Sequence, residues 1–273
     1  PEPCPFEIQL GDLGIYCARI KSTNVETTYA YLSSKNANII GDLTKDPQGK
    51  NTFYVKDPWD NLFQIVEGDS WFGKGLKSTG GPSGSMLGVS DIDKSKKFYS
   101  DILGYDTVEY DKEGIFDDLK SLPGGGHKVR RVLLSHSKPR VGAFSELLGK
   151  SKMELIQVLD RTPKKIYENR YWGDRGFIHL CFDITNQKAM KILCEEKGYP
   201  FTVDSGEQFD MGEAAGHFSY IEDPDGTLIE FVETKKIPIM QKLGWYLDLR
   251  KRDATKPLPK WMLKALKFNR VKL

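Results

Sequence analysis

The sequence predicts an α+β protein built from a repeated unit, in which a strand is followed by a helix and then by several strands. Residues 176–233 show the whole order: the apolar run GFIHLCFDI, the helix-like QKAMKILCEEKG, and the strand-like YIEDPDGTLIEFVE. The segment KDPWDNLFQIVEG (56–68) aligns without a gap with EDPDGTLIEFVET (222–234). Another stretch, which begins at Met86 and lies between these two segments in the chain, repeats the strand, turn, helix and strand order. In chain order, the three copies are thus the first (1–70), the second (from Met86) and the third (176–233). An internal repeat of this length constrains the fold more strongly than any local pattern.

The first copy occupies residues 1–70. GIYCARI (14–20) reads as a strand, and Val25, Tyr29 and Leu32 lie at helical spacing after it. Two strand-like runs then flank a DPWDN turn. We expect this module to be partial, with its partner unit upstream of Pro1.

The second copy follows a Gly/Ser-rich linker, residues 71–85. Asp91 is suited to the N-cap of a helix, and Gly104 to the position just after its last turn. The apolar residues between them recur at helical spacing. VRRVLLS and SKMELIQVLD supply later strands, and the second of these carries Glu154 in the place that Glu230 has in the last copy.

The C-terminal residues 236–273 predict a helical tail that Pro257 and Pro259 interrupt. Its basic residues alternate with apolar ones, which is typical of a helix docked on a core with a solvated face. The net charge of the chain is only +2, no apolar run is long enough for a membrane span, and no nucleic-acid motif is present. We therefore expect neither nucleic acid nor membrane as a partner.

The four cysteines form no CxxC pair. Cys17 and Cys181 fall within apolar strand-like runs, where buried, reduced thiols are usual. This predicts a cytoplasmic protein.

The segments VSDIDKSKKFYSDILGY, ELIQ, GFIHLCF and EDPDGTLIEFVE together resemble the vicinal oxygen chelate superfamily, which includes glyoxalases, bleomycin-resistance proteins and extradiol dioxygenases. The resemblance covers about residues 9–233. It implies βαβββ units paired into open, half-barrel sheets with a metal ion in the concave face. It also implies that residues 86–235 form a C-terminal paired domain, and a homodimer is possible.

In that family, ligands come from the first and last strands of two paired units. The resemblance assigns His179, Glu154 and Glu230 as ligands of one divalent ion (Zn, Fe, Mn, Co or Ni), with Glu154 and Glu230 as candidate bases. The fourth position falls on Gly84, which has no side chain to offer. The corresponding residues of the first copy, Cys17 and Gln64, form a poor ligand set.

Three further residues are candidates for substrate binding. His217 precedes the DPDG turn, in a region that lines the substrate cavity in the family. Arg131 could point inward from its strand, and could bind a carboxylate there or form a structural ion pair. Trp172 could cover the mouth of the cavity or pack in the core.

The resemblance implies a metal-dependent lyase or isomerase of the glyoxalase or epimerase kind, acting on a small substrate with vicinal oxygens through enolate-type stabilisation. An Fe(II) ring-cleaving dioxygenase is the second interpretation. The third is a degenerate, metal-free protein that binds a small ligand.

Overall fold

The structure is a computed structural model that describes residues 1–73, 78–206, 215–240 and 243–266. The chain divides into two compact units, and each is described by itself. The first unit comprises residues 1–138, 150–178 and 224–227. The second comprises residues 139–149, 179–223 and 228–273.

The first unit contains the first two copies of the repeat, each a βαβββ module. Its first module consists of β1 (Gly14–Ser22), α1 (Val25–Ser34), β2 (Asn38–Lys45), β3 (Asn51–Lys56) and β4 (Leu62–Glu67). Its second module consists of β5 (Thr79–Gly88), α2 (Ile92–Leu103), β6 (Thr107–Gly114), β7 (Val129–Ser135) and β8 (Lys152–Val158).

Helix α2 forms where the sequence predicts it, and both ends have the expected caps. The Asp91 carboxylate accepts hydrogen bonds from the backbone N–H groups of Asp93 and Lys94, at 2.9 and 3.0 Å. Gly104 ends the helix in the left-handed conformation, with φ of 72°. The apolar face is buried through Ile92, Phe98, Tyr99, Ile102 and Leu103.

The eight strands of the first unit form one sheet in the order β2-β3-β4-β1-β5-β8-β7-β6. Within each module the first strand pairs in parallel with the last. The two modules meet where β1 pairs with β5 in antiparallel fashion. The core includes a cluster drawn from both modules: Leu10, Tyr16, Cys17, Tyr54, Leu62, Met86, Leu119, Leu122, Val129, Ile156 and Val158.

This pairing corrects the prediction of a paired domain over residues 86–235. The second copy joins the first copy in one sheet, so the module at 1–70 has its partner within the described chain. The prediction was wrong because β1, β5 and the first strand of the third copy are equivalent strands of the repeat, and each has backbone N–H and C=O groups that can pair with either of the others. A sequence repeat identifies these strands but does not say which two of them meet.

The second unit contains the third copy. Its elements are α3 (Ser145–Leu148), β9 (His179–Asp183), α4 (Gln187–Glu196), β10 (Val203–Asp204), β11 (Ala215–Glu222), β12 (Leu228–Met240), β13 (Trp245–Asp248) and α5 (Lys260–Ala265). Its sheet has the order β10-β11-β12-β13, and β9 pairs in parallel with β12. The βαβββ order of the third copy is therefore confirmed.

Two boundaries differ from the prediction. Residues 79–85 of the predicted linker belong to β5, because their backbone pairs with β1 from Ser22 to Ala18. The predicted helical tail begins as strand: β12 continues to Met240 and pairs with β13. Between residues 244 and 265, the helical elements are α5 and the 3-10 turn Leu249–Lys251. Residues 267–273 of the predicted tail lie outside the described residues.

Candidate functional site

The first unit has a buried ionic cluster centred on Arg131. The side chains of Arg131 and Glu154 are completely buried, and Arg131 Nη2 lies 2.6 Å from Glu154 Oε1. Arg131 Nη1 donates to both oxygens of Asp118, at 2.8 and 2.9 Å. Tyr110 donates its hydroxyl to Glu154 Oε1 at 2.5 Å. Arg131 thus binds carboxylates of its own chain, which is the structural ion pair left open by the sequence.

Arg19 adds a second guanidinium group to this cluster. Its Nη1 lies 3.7 Å from Glu154 Oε2. Burial alone would raise the pKa of Glu154, but Arg131 and Arg19 hold that pKa below its usual value. Burial is the larger influence on Asp118, whose pKa is raised despite Arg131. Glu154 is therefore an ionised counter-charge to two guanidinium groups.

This arrangement does not fit a divalent cation at Glu154. A cation bound there would lie beside two positively charged side chains in a buried environment, where repulsion is weakly screened. The two other family positions in this half, Cys17 and Gln64, are buried but provide no anionic oxygen. Burial raises the pKa of the Cys17 thiol well above neutral pH, so it remains protonated.

The second unit brings His179 and Glu230 together. They lie on the adjacent strands β9 and β12, and His179 Nε2 is 3.3 Å from Glu230 Oε2. Both side chains keep partial access to solvent, at 25% and 16%. Tyr220 on β11 donates its hydroxyl to the other carboxylate oxygen, Oε1, at 2.5 Å. The pair therefore has one imidazole and one oriented carboxylate, as the sequence predicts for half of a metal site.

Among the residues that the structure describes, no group of three or more His, Cys, Asp or Glu side chains has the arrangement of a metal site. Glu154 belongs to the first unit, and His179 and Glu230 belong to the second. The three-ligand set thus stays a prediction, while the two-residue half is observed as a contact.

The other predicted residues have these environments. His217 is 8% exposed, and its Nε2 lies 2.6 Å from Asp204 Oδ1. This contact is the main reason that the pKa of Asp204 falls to about 2. Trp172 is 57% exposed in the segment that precedes β9. Cys17 is buried as predicted, whereas Cys181 is exposed, against the prediction.

Sequence reasoning missed Arg19 and Tyr220. The signal for Arg19 was present, since a charged residue within the apolar run GIYCARI needs either solvent or a counter-charge. Tyr220 could have been found from pairing, because Tyr220 and Glu230 are direct cross-strand partners.

A cavity of about 300 Å³ lies within the second unit, lined in part by Asp183, Asn186, Glu233 and Arg252. Burial, and secondarily Glu233, raise the pKa of Asp183 to about 6. The ordinary value is about 4. Between these two pH values the folded state holds the proton more tightly than the unfolded state, so stability falls as pH rises from about 4 to about 6.

We therefore expect Asp183→Asn to stabilise the second unit at pH 7.5 by about 1–2 kcal/mol, a value reduced to allow for the partial exposure of the side chain. The gain should vanish near pH 4. Urea denaturation at both pH values measures it, with the exposed Glu196→Gln on α4 as control. Equal stability of Asp183→Asn and the parent at pH 7.5 would contradict the expected burial cost.

None of the described helices combines the length and the apolar character needed to cross a membrane.

Comparison with known proteins agrees with the fold. The family model of the Glyoxalase/Bleomycin resistance protein/Dioxygenase superfamily matches residues 84–231, more than half of the chain. A lactoylglutathione lyase of Schizosaccharomyces pombe is 29% identical over 161 residues, which cover 55% of this chain and 47% of the relative. The match thus spans about half the length of that relative.

Solved structures share the architecture at low identity. Glyoxalase I from Zea mays has a TM-score of 0.52 and 15% identity, with 83% of this chain and 69% of that chain covered. A putative dioxygenase from Bacillus subtilis has a TM-score of 0.52 and 12% identity, with coverage of 84% and 64%. Taken with the three βαβββ modules and the family match, these likenesses lead to one conclusion: the chain belongs to the Glyoxalase/Bleomycin resistance protein/Dioxygenase superfamily.

Proposed function

We propose that the chain is a metal-dependent lyase or isomerase of the glyoxalase or epimerase kind, which acts on a small substrate with vicinal oxygens. The observation that carries the proposal is the contact between His179 and Glu230, at 3.3 Å on neighbouring strands. An imidazole nitrogen with a carboxylate oxygen suits Zn²⁺, Fe²⁺, Mn²⁺, Co²⁺ or Ni²⁺. The S. pombe relative makes lactoylglutathione the first substrate to test.

His179 and Glu230 are the residues that would hold the ion. A divalent ion bound there supplies Lewis acidity to two neighbouring oxygens of a substrate. Glu154 is left out of this ligand set, because Arg131, Tyr110 and Arg19 already surround its carboxylate.

The chain's own residues then determine the proton transfer. Glu230 is the proposed base, since the Tyr220 hydroxyl occupies its Oε1 whereas its Oε2 lies 3.3 Å from His179 Nε2. Burial and the neighbouring Glu230 raise the pKa of Tyr220, so this hydroxyl keeps its proton at neutral pH. Tyr220 therefore fixes the orientation of Glu230 through a hydrogen bond that it can only donate.

Metal content measured after reconstitution with each divalent ion tests the proposal. We expect His179→Ala and Glu230→Gln each to lower metal affinity at least about 10-fold, in the range of lost metal-site contacts. His127→Ala and Glu222→Gln are matched controls, because His127 is a partly exposed residue of the first unit and Glu222 is exposed. The proposal fails if the parent binds none of the ions, or if the controls lose as much metal as the test variants.

Activity assays separate the two enzyme classes. Turnover of lactoylglutathione or of another substrate with vicinal oxygens, without oxygen uptake, agrees with the proposed lyase or isomerase. Iron-dependent oxygen uptake with a catechol would favour the ring-cleaving dioxygenase.

The metal-free ligand-binding interpretation is favoured by one observation in the first unit. There, two guanidinium groups lie beside Glu154, where family resemblance assigns a metal ligand. We therefore propose a metal site only for the half that carries His179 and Glu230.

A further inference from the structure

The first unit buries more positive than negative charge around β1. Arg19 and Lys21 on this strand are each 5% exposed. They are two residues apart, so their side chains project to the same face of the strand. The buried carboxylates of Glu154 and Asp118 face the guanidinium group of Arg131. Asp12, another buried carboxylate of this unit, pairs with Arg161 at 2.8 Å. Outside that pair, three buried cations accompany two buried carboxylates among the described residues.

Among the described residues, neither Arg19 nor Lys21 has a hydrogen-bonded carboxylate partner. Arg19 Nη1 is buried and makes no hydrogen bond to any residue that the structure describes, and Glu154 Oε2 lies 3.7 Å from it. Lys21 Nζ lies over the ring of Trp71, 5.4 Å from the centroid. Burial lowers the pKa of Lys21, and Asp69 opposes this only partly. A buried cation without a hydrogen-bonded anion is costly.

Both cations line a cleft of about 50 Å³. Its wall carries five cationic side chains and three carboxylates: Arg19, Lys21, Lys50, Lys150 and Lys152 against Asp46, Glu67 and Asp69. Lys152 also lies 3.5 Å from Glu109, which is outside the wall. The carboxylates already have partners. Glu67 lies 4.0 Å from Lys50, Asp69 lies 3.6 Å from Lys150, and the Asp46 side chain accepts backbone hydrogen bonds.

We propose that this cleft binds a small oxyanion, the phosphate or carboxylate group of a ligand, on Arg19 and Lys21. The volume is that of one or two water molecules, which suits such a group but not a whole cofactor. Arg19 provides planar N–H donors for two oxygens, and Lys21 provides a point charge beside them. Ser83 also lines the cleft, and its hydroxyl donates to the backbone oxygen of Arg19 at 3.4 Å. The site lies within the first unit and does not depend on metal at His179 and Glu230.

Titration of the purified chain with inorganic phosphate and with acetate, at constant ionic strength, tests the site by calorimetry. We expect saturable binding of at least one anion, and at least a 10-fold loss of affinity in Lys21→Gln. Lys45→Gln, an exposed lysine on β2, should bind as the parent does. Phosphate binding alone would identify a phosphate group as the ligand, and acetate binding a carboxylate.

The proposal is overturned if neither anion binds, or if Lys21→Gln and Lys45→Gln bind equally well. Lys21→Gln leaves the ion pairs of Glu154 in place, so a loss of binding is not explained by loss of that cluster. Arg19→Gln is a second variant, used only after circular dichroism shows the parent spectrum, and it should also bind at least 10-fold more weakly.

Discussion

Replacement of Arg131 by methionine is expected to destabilise the first unit by about 3–5 kcal/mol, because it leaves buried carboxylates without their main counter-charge. Arg131 is fully buried, and it contacts both Glu154 and Asp118 within 2.9 Å. Arg19 cannot replace it, since among the described carboxylates Arg19 approaches only Glu154, at 3.7 Å. The free energy of unfolding, obtained from urea denaturation followed by circular dichroism, measures the loss.

Arg130 provides a matched control on the same strand. Its guanidinium group also contacts two carboxylates, Asp93 and Asp111, but it is 26% exposed. Arg130→Met should therefore cost about 1 kcal/mol or less, because solvent screens a surface ion pair. A loss as small for Arg131→Met as for Arg130→Met would show that the buried cluster does not have the energetic role assigned to it.

The double variant Arg131→Met, Glu154→Gln tests the cause of the loss. Neutralising Glu154 removes one unpaired buried charge, and its amide can still accept the hydrogen bond from Tyr110. We expect the double variant to recover part of the stability, so that the two effects are not additive. Strict additivity would contradict an ion pair as the origin.

Local signals in the sequence predicted the modules well. The cap residues Asp91 and Gly104 defined α2, because caps are satisfied by neighbours along the chain. The internal repeat likewise predicted the order of strands and helix in the third copy. Alternation along β7 restricted Arg130 and Arg131 to opposite faces, which the structure confirms by their exposure, 26% against none.

The long-range partners could not be predicted in this way. The sequence predicts the first strand of every module, but it does not show which other strand pairs with it. That pairing depends on packing among segments that are far apart in the chain. Likewise, Glu154 occupies a ligand position by alignment, yet Arg19, 135 residues before it, contributes the charge that changes its role. A family pattern indicates where a side chain lies, whereas its chemistry depends on neighbours from other modules.

Gly84 lies at the fourth ligand position that the family resemblance assigns. The backbone geometry at this position favours glycine. Its φ is +139°, a conformation that side-chain-bearing residues rarely adopt. A Cβ added there would lie 1.7 Å from the backbone oxygen of Lys152 on the neighbouring strand β8. Gly84 is paired with Arg19 on one side and with Lys152 on the other, so neither strand can move away without breaking the sheet.

Gly84→Ala is therefore expected to destabilise the first unit by about 3–5 kcal/mol, from the combined cost of backbone strain and overpacking. Gly81 in the same strand is the control, because a Cβ there meets nothing within 4 Å among the described residues. Gly81→Ala should change the free energy of unfolding by about 0.5 kcal/mol or less. Urea denaturation of the two variants gives the comparison.

A histidine at this position would meet the same backbone atoms. Gly84→His has the same Cβ, so it should lose at least as much stability as Gly84→Ala, and it should not gain a metal ion at Glu154. Equal stability of Gly84→Ala and Gly81→Ala would mean that β5 and β8 can separate enough to admit a side chain. In that case the absence of a ligand at residue 84 would be a matter of chemistry and not of space. With the clash in place, the close contact between β5 and β8 leaves no room for a ligand side chain at residue 84, and the guanidinium groups of Arg19 and Arg131 disfavour a cation at Glu154.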